Sequence, residues 1–441
     1  MVAGPNKDLE NLERMMYWKT TLKAWSCFLV GAKLNEKLET DDILKGIHKL
    51  FTLRVQLRLN VFQYPKKRFV TEEINGWSDD FVDFVDYPTD DFDIIEAFKQ
   101  QHNQYFELGV QKPLWKLVVL NHQYLVILCD HTLYDGNTAL YICEDLITIL
   151  NDRDIPVDRI PDIKPYHDLL KPKLGHTIKT VIQTFAPKWA YPLVNLIYRP
   201  KSEFETGAYD DWGVTHKIER TTNKLKHLIT ITNEEFSIIK KLTKSHGVNF
   251  TAFWAYINVL AVAQLGKSAV DLSIPFNMRT NLLPPEYLRW YGLLVSHVTL
   301  NVHTKVDHDS IDWDFVRFLN GSVAHKYQVK QSQMLGMIKY VSARGLIESA
   351  LKSPRKGGLE VSNLGLRVDP DGESWKKYTP EEFFFSLPND LSGYNVSNAV
   401  ISSKTKTNII LDGVPEFANE FPTYANNVET ILRNAINGYY E

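Results

Sequence analysis

The chain contains little cysteine and no dominant charge. Its 441 residues include three cysteines, Cys27, Cys129 and Cys143, and no two of them have CxxC spacing. This argues against a disulfide framework or a structural zinc site, and it favours a reducing compartment. Lys and Arg total 50 against 53 for Asp and Glu, and no basic tract dominates, so we expect no nucleic-acid partner.

Targeting signals and long apolar runs are also missing. The start, MVAGPNKDLENLERMM, lacks the cationic residues and the apolar stretch of roughly 7–15 residues that a secretory signal needs. No window reaches the ~18 uninterrupted apolar residues of a membrane-spanning helix. We therefore expect a cytoplasmic protein, with peripheral attachment to the endoplasmic reticulum or to lipid droplets as the alternative.

Motifs for nucleotides and metals are missing as well. The sequence has no P-loop, no GxGxxG and no HExxH, and we expect no metal cofactor. Hydrophobic residues make up 44% of the chain and aromatic residues 12%, so it has enough apolar material for a large core. This composition excludes wholesale disorder.

Apolar periodicity predicts strands and helices mixed along the whole chain. The predicted strands are 26–34, 55–63, 116–121, 124–130, 225–232, 270–276, 293–302, 383–387, 398–403 and 408–411. The predicted helices are 7–19, 40–51, 91–103, 136–150, 234–245, 250–265, 313–326, 332–351 and 424–440. For the last helix we favour packing on its own domain over contact with a lipid surface.

A segment rich in proline and lysine divides this pattern. It spans about 156–206 and is interpreted as a crossover linker with a short helix over 177–185. A solvated loop is favoured for it over a membrane-contacting surface or the mouth of an acceptor tunnel. The sequence thus predicts an α/β fold with layers of helices on mixed sheets: an N-terminal domain over 1–160, a linker over 161–206 and a C-terminal domain over 207–441.

The segment CDHTLYDGNTA, at the end of a predicted hairpin, carries the strongest chemical signal. His131 follows a buried strand, Asp135 lies four residues on, and Gly136 opens a helix. A neutral imidazole can accept a proton from a hydroxyl or amine near neutral pH, so His131 is a candidate general base. Gly136 would permit a tight turn into the helix. The alternative is a structural histidine satisfied by local hydrogen bonds.

Asp135 has two candidate roles. It could contact His131 as in a catalytic triad, or it could lock the loop by pairing with a distant arginine; the lock is favoured, with Arg279 as the partner. Two further HxxxD pairs, His303–Asp307 and His308–Asp312, lack the glycine and lie in a charged turn, so we expect them to have no function.

HTLYDG, preceded by PLWKLVV and a hydrophobic hairpin, resembles the HxxxD superfamily of coenzyme A-dependent acyltransferases. This superfamily includes chloramphenicol acetyltransferase, the plant BAHD enzymes and the condensation domains of peptide synthetases. The N-terminal run MMYWKTTLKAWSCFLVGAKLN and the overall layout are most similar to the fungal alcohol acetyltransferases, and the resemblance covers about residues 10–435. The DFGWG motif of the plant branch is missing; only SGYN and LDGVP occur, so plant-type substrates are not implied.

The resemblance implies two chloramphenicol acetyltransferase-like domains with a channel between them, in which acetyl-CoA and the acceptor meet at the histidine. It implies that His131 is the general base and Asp135 a structural aspartate, supported by Gly136 and Arg279. The segment VSNLG resembles a turn beside the channel, which makes Ser362 and Asn363 candidate channel or oxyanion residues. The alternative is a plain Asn/Gly turn.

The implied activity is direct acetyl transfer from acetyl-CoA to an apolar alcohol of the fusel or sterol type, by a monomer. One alternative is an N-acetyltransferase acting on long-chain amino alcohols, which acidic residues at the acceptor mouth would favour. A second alternative is a catalytically silent lipid-binding relative, against which the intact HxxxDG weighs.

Overall fold

A computed structural model describes residues 6–65, 68–88, 92–157, 202–206, 212, 223–306, 310–353, 358–369 and 372–439. Most of the predicted linker 161–206, including the predicted helix 177–185, lies outside these residues. The helices are α1 Asn11–Thr21, α2 Thr40–Leu53, α3 Ile94–Gln101, α4 Gly136–Leu150, α5 Asn233–Ser245, α6 Phe250–Gln264, α7 Met278–Asn281, α8 Trp313–Ser322, α9 His325–Ser332, α10 Ala343–Lys352 and α11 Phe421–Ile436.

The strands form two large mixed sheets and one small sheet. They are β1 Lys7–Asp8, β2 Cys27–Leu34, β3 Leu59–Tyr64, β4 Arg68–Glu73, β5 Val82–Val85, β6 Trp115–Leu120, β7 Tyr124–Asp130, β8 Leu225–Thr232, β9 Ala269–Asn277, β10 Val295–His303, β11 Leu359–Leu366, β12 Pro380–Ser386, β13 Val396–Ser402 and β14 Lys406–Gly413. Their orders are β12-β2-β7-β6-β5, β10-β9-β11-β13-β14-β8 and β1-β4-β3.

Each large sheet is the centre of one lobe. In the five-stranded sheet only β5 and β6 run parallel, and α2 and α4 cover one face. In the six-stranded sheet β11 runs parallel to both neighbours, and α6 and α11 bury their apolar residues on one face. The predicted fold class, two lobes built from mixed sheets flanked by helices, is confirmed.

One strand crosses between the two halves of the sequence. β12 comes from the C-terminal half, yet it pairs antiparallel with β2 at the edge of the five-stranded sheet, with Phe384 opposite Gly31. The first lobe therefore needs sequence from both ends of the chain. The division at 160 and 207 remains a prediction.

Several predicted elements differ in the structure. The predicted helix 313–326 is two helices, α8 and α9, and the predicted helix 332–351 is a 3₁₀ segment over 333–340 followed by α10. Strands β1, β4, β5 and β11 were not predicted, and β1 occupies the start of the predicted helix 7–19. The chain stays extended through VSNLG because Gly365 adopts φ 80°, which places a bulge within β11 rather than a turn.

The C-terminal helix α11 buries Val428, Ile431 and Leu432 in the core of its own lobe, as the favoured interpretation expects. Among the helices that the structure describes, none has both the length and the apolar character needed to cross a bilayer.

Candidate active site

His131 is the first residue after strand β7, in the loop that precedes α4. The preceding Asp130 is buried and shapes the exit of the strand: its Oδ1 accepts the backbone N–H of Thr132 at 2.7 Å, and its Oδ2 accepts the hydroxyl of Thr20 at 2.7 Å. Further along, the hydroxyl of Tyr134 donates to the carbonyl of Gln56 at 2.7 Å. The loop is thus held at several points, which fixes the position of the imidazole.

The hydrogen bond of His131 defines its tautomer. Nδ1 lies 2.6 Å from the carbonyl oxygen of Tyr134. A carbonyl can only accept, so Nδ1 must carry the proton, and the neutral ring therefore keeps its lone pair on Nε2. No hydrogen bond to Nε2 occurs within the described part of the chain, which leaves this nitrogen available to a substrate.

Aromatic side chains hold the ring. The centroids of Trp25 and Phe28 lie 5.5 and 5.1 Å from that of His131. Burial is the main influence on the pKa of His131 and lowers it below the ordinary value of 6.5, against the opposing effects of the Tyr134 carbonyl and Asp135. The imidazole is therefore neutral at physiological pH, as a general base must be.

Asp135 is the N-cap of α4 and is fully engaged. Its Oδ1 accepts the backbone N–H of Thr138 at 2.8 Å, and its Oδ2 accepts the backbone N–H of Leu294 and Nη1 of Arg279, each at 2.7 Å. The carboxylate is buried and, among the described residues, has no hydrogen bond to His131. Asp135 thus pairs with Arg279, as in the favoured alternative, and does not form a triad-like contact with His131.

Arg279 is equally buried and satisfied from several directions. Nε donates to the carbonyl of Trp290 at 3.0 Å, and Nη2 donates to the carbonyl of Gly292 at 2.7 Å and to the hydroxyl of Thr138 at 2.9 Å. Because α7 carries Arg279 and follows β9, the ion pair ties the loop of one lobe to the sheet of the other.

Gly136 lies at a close contact between elements and does not form the predicted turn. Its φ is not positive, so it supplies no special turn. A Cβ at this position would lie 3.0 Å from Cδ2 of Leu364 and 3.4 Å from the ring of Phe385. The missing side chain lets the start of α4 approach β11 and β12.

A cavity of about 640 Å³ lies between the lobes and reaches His131. Apolar residues of α1 line one part of it, notably Leu12, Met15 and Met16. Strands β9 and β11 form its floor, because their side chains alternate: Leu272 and Leu359 enter the core of the lobe, while their neighbours face the cavity. The neighbours that face the cavity are Asp271, Ser273, Pro275, Glu360 and Ser362.

The floor is acidic. Oε2 of Glu360 has one long contact, 3.4 Å from the Ser397 hydroxyl, and burial followed by the nearby Asp390 raises the pKa of Glu360 to about 7. Asp271 Oδ1 accepts the Asn301 amide at 2.6 Å. Asp390 is paired with Lys19 at 2.5 Å. The cavity thus combines apolar walls with carboxylates that an amine could approach.

The structure places the other candidates as follows. Ser362 and Asn363 both line the cavity from β11. The amide of Asn363 donates to the Thr251 hydroxyl at 3.0 Å and its Oδ1 accepts the N–H of Gly365 at 2.8 Å, so its orientation is fixed.

Of the two further HxxxD pairs, His303 packs on Phe204 and does not line the cavity, and Asp307 and His308 lie outside the described residues. Asp312 is the N-cap of α8, where its Oδ1 accepts the backbone N–H groups of Asp314 and Phe315.

Solved structures with the same architecture define the fold class. The condensation domain from Monacolin K polyketide synthase MokA has a TM-score of 0.63 at 10% identity, with 99% of each chain covered. Polyketide synthase associated protein 5 from Mycobacterium tuberculosis has a TM-score of 0.61 at 10% identity, again with 99% of each chain covered. The fold is therefore that of the two-lobed condensation domains.

Sequence comparison then identifies the family. The model of the alcohol acetyltransferase family matches residues 74–410, well over half of the chain. The chain therefore belongs to the alcohol acetyltransferase family and is an acyltransferase that uses an acyl-CoA. A relative with 21% identity over 411 residues, 83% of this chain and 86% of its own length, is N-acetyltransferase SLI1 of Saccharomyces cerevisiae.

The contributors to the cavity that sequence reasoning did not find include the face of α1 with Lys19, the ring of Trp25, and Glu360. The spacing of Leu12, Met16 and Lys19 on one helix face, and the alternation in LEVSNL, are signals that could have found two of them. Nothing local distinguishes Trp25, which is recognisable only from its contact with His131.

Proposed function

We propose that this protein transfers an acetyl group from acetyl-CoA to the hydroxyl of an apolar alcohol of the fusel or sterol type. The observation that carries the proposal is the lone pair of His131 Nε2, available at the inter-lobe cavity while Nδ1 is bound to Tyr134. The alcohol acetyltransferase family supports the donor and the reaction. The apolar wall of α1 supports an acceptor with a hydrocarbon body.

The reaction would proceed by direct transfer. Nε2 of His131 takes the hydroxyl proton as the oxygen attacks the thioester carbonyl, which forms the new C–O bond and a tetrahedral oxyanion. The oxyanion collapses, the C–S bond breaks, and the imidazolium returns the proton to the departing thiolate. A positioned base of this kind typically contributes 10²–10⁴-fold to the rate, and Asp135 and Arg279 contribute by holding the loop.

An N-acetyltransferase acting on long-chain amino alcohols is the second candidate. Glu360 and Asp271 on the cavity floor favour it, because a carboxylate can attract and orient an ammonium group. The name of the yeast relative points in the same direction.

Purified full-length protein should be incubated with acetyl-CoA and 3-methylbutanol, a sterol, dodecylamine or sphinganine, with release of free thiol and product mass as readouts. We expect ester formation, abolished in His131→Ala and retained in His48→Ala, which removes an exposed histidine that stacks on Trp77 outside the cavity. Amide formation alone would favour the second candidate. Tight sterol binding without any acetyl transfer would identify a silent lipid-binding protein.

A further inference from the structure

We propose that the indole N–H of Trp25 is the hydrogen-bond donor that stabilises the oxyanion during acetyl transfer. The inference rests on the proposed function and adds a catalytic residue to it. Trp25 lies just before β2, lines the cavity, and has a ring centroid 5.5 Å from that of His131. The indole ring therefore lies beside His131, the proposed base, which the reacting carbonyl must approach.

Among the residues that the structure describes, none is a hydrogen-bond partner of the indole nitrogen of Trp25. The side chain is only 7% exposed, and Nε1 makes no hydrogen bond in the described structure. Buried N–H groups are nearly always paired, so an unpaired one in a residue that lines a substrate cavity points to a partner that arrives with the substrate. An indole N–H can only donate, which suits an oxyanion and excludes a role as a base.

Other donors near the cavity fit less well. The amide of Asn363 is already used on Thr251. Ser362 offers a rotatable hydroxyl from the opposite lobe, and no hydrogen bond from the described residues fixes its direction. Trp290 also has an unpartnered buried Nε1, but it does not line the cavity. Trp25 alone among these four combines a rigid donor, a free N–H and contact with His131.

The surroundings of Trp25 hold the ring in place. Lys19 Nζ lies 5.4 Å from the ring centroid, and its ion pair with Asp390 fixes the ammonium group there. A preorganised donor of this kind needs no rearrangement when charge develops on the carbonyl oxygen. As the acceptor adds to the carbonyl carbon, the π electron pair of the C=O bond moves to the oxygen. The resulting oxyanion accepts a hydrogen bond from the indole N–H without proton transfer. Collapse restores the double bond and expels the thiolate.

The test compares two replacements that remove the N–H. Trp25→Phe keeps an aromatic ring, and benzothienylalanine at position 25 keeps the bicyclic shape with sulfur in place of N–H, which covers the case in which the smaller ring disturbs folding. Trp375→Phe is the matched control: its buried indole donates to the Thr148 hydroxyl at 3.0 Å and does not line the cavity. Steady-state kinetics with whichever acceptor is turned over, and thermal melting, are measured for all.

We expect kcat to fall by about 10²–10³-fold in both replacements at position 25, with KM for acetyl-CoA and acceptor little changed. The control should lose some thermal stability and retain its kcat. A kcat within about threefold of the parent protein in the benzothienyl variant, or a rise in acceptor KM alone, overturns the inference and leaves the proposed function standing. If the parent protein acetylates none of the acceptors, the proposed function and the inference about Trp25 are both contradicted.

Discussion

Arg279 and Asp135 are 144 positions apart in the sequence, yet Nη1 of one lies 2.7 Å from Oδ2 of the other, and both side chains are buried. The pair joins the loop that carries His131 to the opposite lobe. Because both charges are out of water, removal of one leaves the other uncompensated. The position of His131 and the stability of the protein are therefore coupled through one contact.

Asp135→Asn should lower both stability and activity. The amide can still accept the Thr138 N–H as an N-cap, but it leaves Arg279 without a counter-charge, and we expect a loss of about 3–5 kcal/mol in the free energy of unfolding. Denaturant unfolding and acetyl transfer assays would measure it. Asp83→Asn, which removes the partly exposed partner of Lys116, should change stability by less than ~1 kcal/mol. A loss of rate without destabilisation would instead support a direct action of Asp135 on His131.

The activity should have an acid limb below pH 6.5. Burial lowers the pKa of His131, so the ring accepts a proton only at more acidic pH than an exposed histidine would. A protonated ring cannot act as the proposed general base. The same shift makes the unfolded state bind more protons just below pH 6.5, so His131 should reduce stability as the pH falls through that range. The pH profile of kcat/KM measures the midpoint of this decline in activity at acidic pH.

Asp130 titrates in a neighbouring range, because burial raises its pKa to about 6. Asp130→Asn separates the two groups: the acid limb should persist in this variant if it belongs to His131. A midpoint above 6.5 in the parent protein would contradict the assignment.

A second buried ion pair ties the lobes and bonds the backbone of Leu387, which lines the cavity. Lys226 Nζ contacts Asp412, donates to the Ser386 hydroxyl at 2.9 Å and donates to the Leu387 carbonyl at 3.0 Å. His102 Nε2 lies 2.8 Å from the same hydroxyl. The cluster therefore joins β8 and β14 of one lobe to β12 and α3 of the other.

Asp412→Ala should destabilise the protein by about 3–5 kcal/mol, because the buried ammonium of Lys226 loses its partner. Neither Lys226 nor Asp412 lines the cavity. We therefore expect kcat, measured well below the melting temperature, to stay within about threefold of the parent value. Thermal melting and kinetics on one preparation test both statements. A large fall in kcat with unchanged melting would show that the cluster acts on the active site.

The predictable and unpredictable parts of the site have different physical origins. The hairpin, α4 and the pairing of Asp135 with Arg279 follow from apolar periodicity and from the need of a buried carboxylate for a cation. The strand β11 was missed because SN-x-G is typical of a turn, and only the bulge permitted by Gly365 keeps it extended. The crossing of β12 into the first sheet is a long-range choice of partner that local sequence does not encode.

Glu360→Gln should lower the turnover of an amine acceptor relative to that of an alcohol. The carboxylate lies on the cavity floor with one long hydrogen bond, so it can bind an ammonium group, and its neutral isostere cannot do so with a charge. We expect kcat/KM for dodecylamine to fall about tenfold or more, as for the loss of a charged hydrogen bond. The value for 3-methylbutanol should change by less than threefold, roughly the scatter of a neutral substitution.

The effect should itself depend on pH. With a pKa raised to about 7, Glu360 is largely protonated below that value and charged above it, so the ratio of parent to Gln variant with dodecylamine should rise through neutral pH. Comparison of the two proteins at each pH cancels the titration of the free amine. Glu381→Gln, which removes a partly exposed carboxylate paired with Lys33, is the matched control and should show a flat ratio. An equal loss on both acceptors would mean that Glu360 supports the sheet and does not select the substrate.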